Sequence, residues 1–202
     1  MKNLKRLYTT VLIFMFVGFI PPSCCLTTSC GCGDNSLPNF YIKTIELLST
    51  NAANEAIDTS LYYAYTDVFK QVNIAEKEYE ALNTVAPSFS FYGSAMACSP
   101  APADALNPIT EIKIKAANSF YLVSQQDVIQ VGEDITHRFE MRYEWSKTYK
   151  AISAFVNDTK DSSYLIKLID KPLQDTNMVL DISILLLDGT LFEFKGQIMN
   201  VN

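Results

Sequence analysis

The chain has 202 residues, is 49% hydrophobic and 19% charged, and carries a formal net charge of −6. That size fits one domain, large enough to bury about 70% of its unfolded surface with no disulfide or metal scaffold, and the composition excludes general disorder. The negative charge becomes −9 if residues 1–23, with Lys2, Lys5 and Arg6 and no acid, are removed; a domain of that sign repels phosphate backbones and anionic headgroups, so nucleic-acid binding is excluded and membrane attachment must come from a lipid or an apolar segment.

Residues 1–23 have the layout of a secretory signal. Lys2, Lys5 and Arg6 form a positive start, and Val11–Ile20 is an unbroken apolar run. Pro21 and Pro22 then stop the helix, and Ser23 offers a small exit residue before Cys24. A spanning helix needs about 20 apolar residues, more than this segment supplies even when counted from Leu7. The cysteine after the run resembles the lipobox of bacterial lipoproteins, in which that cysteine is acylated and becomes the new N-terminus. By that resemblance Cys24 is the lipidated residue and Cys30, after Leu26-Thr27-Thr28-Ser29, the second choice. Pro21 and Pro22 depart from the usual pattern, which prefers a leucine just upstream. A thiolate is the nucleophile such chemistry requires, and two or three acyl chains anchor stably where one does not.

Residues 24–39 are small, polar and glycine-containing, and read as a flexible, cysteine-rich tether. Cys30-Gly31-Cys32 is too short and too poor in partners for a tetrahedral thiolate metal site. In an exported chain Cys98 can form a disulfide with Cys30 or Cys32, or remain a buried free thiol; spacing does not decide between them.

From Phe40 onward the pattern is period two. Tyr41, Ile45 and Leu47 suggest a first strand. Tyr62, Tyr63, Tyr65, Phe69, Val72 and Ile74 can line strands, whereas Ala75–Leu82 holds good helix formers, so a strand followed by a short helix or irregular turn is expected. Residues 98–109, with Pro100, Pro102 and Pro108, read as a long ordered loop. Ile112 and Ile114 alternate with Glu111, Lys113 and Lys115. Phe139, Met141, Tyr143 and Trp145 alternate with Glu140, Arg142 and Glu144, and Tyr164, Ile166 and Leu168 flank Lys167 in the same way. Met178–Leu186 and Thr190–Ile198 form a hairpin. A three-residue loop, Leu187-Asp188-Gly189, sets Ile184 opposite Phe192, Ile182 opposite Phe194 and Met178 opposite Ile198, with Gly189 left-handed in a bulge. Short strands parted by turn signals imply an all-β, antiparallel, immunoglobulin-like sandwich over residues 40–202, with a short irregular or helical insertion.

The chemistry-bearing residues are sparse. His137 is the only histidine and lacks ligands at metal spacing, no serine sits in a nucleophile elbow, and the glycines are too scattered to cradle phosphate. Asn157–Asp161 reads as a polar turn rather than a calcium loop, and Glu140 and Glu144 as solvated charges rather than a hydrolytic pair. No cofactor, metal or catalytic residue is therefore expected. Adjacent Tyr62, Tyr63 and Tyr65 cannot all face inward, which makes them the expected contacts for a sugar or peptide.

Ala97-Cys98-Ser99-Pro100, the proline-containing loop with Ile109–Ile114, Leu165–Leu168 with Lys171-Pro172, and Leu187–Phe192, together with the cysteine-rich start, resemble a family of uncharacterised small lipoproteins of the Bacteroides group. The resemblance implies an envelope lipoprotein of no known activity, so no functional residues carry over. It implies an outer-membrane address, lipid-anchored, with the leaflet left open because the first acid after Cys24 is Asp34. The expected role is a non-catalytic binding or adhesion module for a glycan or protein ligand, with a structural or assembly subunit of an envelope complex as the alternative.

Overall fold

Alternation of apolar and polar residues becomes ten strands in the computed structural model, which describes residues 38–80, 103–123 and 128–202, all within one compact unit. They are β1 (Phe40–Thr50), β2 (Phe69–Tyr79), β3 (Ile109–Ala116), β4 (Phe120–Tyr121), β5 (Val128–Ile129), β6 (Phe139–Tyr143), β7 (Lys150–Ala151), β8 (Tyr164–Leu168), β9 (Thr176–Leu186) and β10 (Leu191–Val201). One sheet has the order β1-β2-β8-β6-β7, a second β10-β9-β3, and β4 and β5 make a small ribbon. All strand pairings are antiparallel. The chain crosses between the two larger sheets after β2, between β3 and β6, and again after β8, the immunoglobulin-like plan of a sandwich rather than a meander.

Side chains from both sheets meet in one core. Met178, Leu180, Ile182, Ile184 and Leu186 of β9 and Ile112 and Ile114 of β3 come from one side. Phe139 and Met141 of β6 and Tyr164, Ile166 and Leu168 of β8 come from the other. Each such side chain contributes about 1.5–3 kcal/mol on burial. One flank is closed by main chain: Ala116 N–H donates to Glu133 O at 3.0 Å and Ile135 N–H to Ile114 O at 2.9 Å, so residues 133–135 run along β3 before the chain enters β6. A 3-10 turn, Ile152–Phe155, plugs the same flank with Ile152 and Phe155.

Three expectations are corrected. Ala75–Tyr79 are strand, not helix, because β1 pairs with them from Thr44↔Glu76 to Phe40↔Tyr79; Ala81 and Leu82 lie outside the described residues. Among the described residues the only helical turns are 3-10, at Thr136–Arg138 and Ile152–Phe155, and residues 51–67 form the irregular insertion. Tyr41 does not share a face with Ile45. A bulge at Lys43–Thr44 shifts the register, so Phe40 and Ile42 point inward before it and Ile45 after it. The hairpin has the expected loop, with Leu186 N–H donating to Thr190 O at 2.9 Å, Gly189 at φ +87°, and Ile184 and Ile182 opposite Phe192 and Phe194. Beyond Phe194 a second bulge, with Gly196 at φ +66°, moves the register by one. Met178 pairs with Met199, and Ile198 is 38% exposed.

Candidate functional site

β6 turns Phe139, Met141 and Tyr143 inward and ends at Tyr143, where Ser146 N–H donates back to Tyr143 O at 3.0 Å. Trp145 thereby leaves the strand alternation. Its ring lies on Tyr143 at 4.9 Å between centroids and 7° between planes, and the residue is 64% exposed. Tyr143 is fixed beneath it. Its hydroxyl donates to Asp158 O at 2.8 Å, and its ring packs on Phe155 at 5.1 Å and Tyr164 at 5.2 Å. Burial, and after it the Asp158 carboxylate, pushes the Tyr143 hydroxyl up to about 12, so the phenol stays neutral at physiological pH.

One indole face is thus buried against a rigid support and the other is open. Polar groups accompany the pair: Glu144, next to Trp145 in the chain, accepts from Asn54 Nδ2 at 2.8 Å, and Asp158, which accepts from the Tyr143 hydroxyl, lies 3.0 Å from Lys160 Nζ. An exposed flat π face with carboxylates on neighbouring residues suits a ligand with an apolar ring face and hydroxyls at its edge. Arg142, on the opposite face of β6, holds the loop that carries Trp145. Its Nη1 donates to the carbonyls of Glu144 at 2.7 Å and Ser146 at 2.5 Å, while Tyr149 covers its guanidinium at 5.2 Å.

A separate groove of about 520 Å³ lies where the chain passes from β3 to β6, with Phe139 and Ile152 in its lining and His137, Asp134, Glu140 and Ser153 around them. Burial alone would raise the Asp134 carboxyl. Hydrogen bonds from Thr136 N (3.0 Å) and Oγ1 (2.6 Å), with Lys113 and Lys115 nearby, outweigh it and hold the group below its ordinary value. Glu140 faces Lys167 at 3.9 Å. Among the described residues no hydrogen bond joins His137 to Ser153, Asp134 or Glu140.

The three tyrosines singled out in the sequence separate. Tyr62 is 45% exposed, whereas Tyr63 and Tyr65 are half-buried against the core. They lie in a bridge beside β10, not in a strand: Tyr63 N–H donates to Asn200 O at 3.2 Å and Asn202 N–H to Tyr63 O at 2.9 Å. Asn157–Asp161 is a turn with Asn157 at φ +62°, and Lys160 already neutralises Asp158. Among the described residues no group of three acidic, histidine or cysteine side chains could hold a metal ion. Cys24, Cys25, Cys30, Cys32 and Cys98 lie outside the described residues. Trp145 is the residue that alternation misplaces, since period two assigns it to the inward face. The polar run Ser146-Lys147-Thr148 after it is the signal that the strand has already ended.

No family model and no curated protein matches the chain. Among solved structures it is similar to the C-terminal domain of the Streptococcus agalactiae AgI/II polypeptide BspA, at 10% identity and a TM-score of 0.25, over 82% of this chain and 50% of that one. A second BspA C-terminal structure gives 10% identity and a TM-score of 0.26, over 79% and 51%. The chain spans about half the length of these structures.

Proposed function

We propose that the chain is a non-catalytic binding module, held on the bacterial cell envelope by lipid at Cys24, whose Trp145–Tyr143 platform takes the ring face of a carbohydrate. The observation that carries this reading is an indole both largely open to solvent and stacked flat on a half-buried tyrosine. An indole already stacked on a neighbour gives up less rotamer freedom on binding than a free one. The net negative charge favours a neutral ligand over an anionic one. Glycan-array binding by the purified chain tests the reading. Trp145→Ala should lose signal at least about tenfold, as removal of a stacking anchor does, while its thermal midpoint stays within a few degrees. Equal binding by the variant removes the platform from the account, and a protein partner in place of a glycan changes the ligand class.

The anchor has its own test. Cys24→Ala should yield an unprocessed or soluble product; if that variant is still processed and membrane-bound, lipidation belongs elsewhere, with Cys30 next. The alternative role, a subunit of an envelope assembly, draws on the edge position of β10, which has no second strand partner among the described residues.

A further inference from the structure

β10 ends its sheet, and among the described residues it is the last part of the strand that is covered, by the bridge between Tyr63 and Val201. Among the described residues no main-chain partner lies along Leu191–Lys195 on the side away from β9. The register fixes which groups face out. Leu186 N–H bonds to Thr190 O, and Phe192 and Phe194 stand opposite Ile184 and Ile182, so residues 190, 192 and 194 turn their main-chain groups to β9. Leu191 and Glu193 turn theirs outward, and Lys195 follows them at the start of the bulge. Leu191 is 53% exposed, and Phe192 and Phe194 reach the core only in part.

Charges on an edge strand usually repel an added strand. Here their order is self-complementary. We propose that two copies of this chain pair through β10, antiparallel about a two-fold axis at Phe194. That register sets Glu193 of each copy opposite Lys195 of the other and brings the two Phe194 rings together on the core side. Centring on Glu193 or on Lys195 puts like charges face to face, and in-register parallel pairing does so at both positions; centring on Phe194 is the register that sets each charge against its opposite. Within one chain Lys195 and Glu193 are 3.5 Å apart but mostly exposed, an ion pair weak enough to re-form across the axis. The Gly196 bulge ends the regular ladder and limits the contact to a short segment, so the dimer is a weak one.

Sedimentation equilibrium of the purified chain, up to hundreds of micromolar, tests this. Wild type should show a monomer–dimer equilibrium. Glu193→Lys alone or Lys195→Glu alone should weaken it at least about tenfold, and the double swap should restore it, since the pair is kept with its signs exchanged. In wild type the amide of Glu193 should gain hydrogen-exchange protection with concentration. A monomer throughout, single swaps that dimerise like wild type, or a double swap that fails to recover would each overturn the proposal. Both side chains are more than half exposed, so the swaps should leave the circular dichroism melt unchanged, which separates lost pairing from lost folding.

Discussion

Lys70 is 1% exposed, and its ammonium donates to Ser49 Oγ at 2.6 Å and to Ile198 O at 2.7 Å, with no carboxylate beside it among the described residues. Desolvation pulls it from the ordinary 10.5 to about 8. Between those values the unfolded chain keeps a proton that the folded chain has lost, so stability rises with pH there. Urea unfolding of wild type and Lys70→Met should show the wild type gaining up to about 3 kcal/mol on the variant between pH 7 and pH 10.5. A pH-independent difference would mean that water reaches the amine. Nothing in Phe69-Lys70-Gln71 announces this burial. It comes from β10 crossing the end of β2, a contact between residues far apart in sequence. Asn107 is as hidden, at 4% exposure. Its Oδ1 accepts from Ile42 N at 2.7 Å and its Nδ2 donates to Ile42 O at 3.1 Å, replacing a strand partner for β1. Asn107→Ala leaves both main-chain groups buried and unpaired, and chemical denaturation should show a loss of about 2–4 kcal/mol.

At the scale of elements, the β9–β10 hairpin divides what the sequence makes legible from what it does not. The loop could be read because only the three-residue version puts Ile184 and Phe192 on one face. Gly189 at φ +87° should make Gly189→Ala cost about 1 kcal/mol in thermal unfolding, although the space around it is open. The later slip could not be read: Ile198 and Met199 are both apolar, so either suits the core, and the bulge at Gly196 decides between them. Ala75–Tyr79 went the other way. Local helix propensity there is real but small, and a full ladder with β1 outweighs it. The platform was hidden for a related reason, since alternation carried past Tyr143 extends a strand that stops.

At the scale of the molecule, the sandwich was legible from period-two patterning, whereas the strand order was not, because pairing of β3 with β9 and of β2 with β8 leaves no local trace. Such non-local pairing should make folding slow, on the order of milliseconds to seconds, with a single chevron by stopped-flow fluorescence of the lone tryptophan. Asn107 gathers this architecture at one point, touching β1 through Ile42 and the tip of the β9–β10 hairpin through Asp188 Oδ2 at 2.7 Å. The residue after it is Pro108. Spontaneous deamidation proceeds when the following backbone nitrogen attacks the side-chain amide and closes a succinimide ring; a proline nitrogen, with no hydrogen to lose, is barred from that route. The clip between the two sheets is therefore sheltered from the commonest chemical ageing of asparagine, and should outlast exposed asparagines in protein stored warm at mildly alkaline pH.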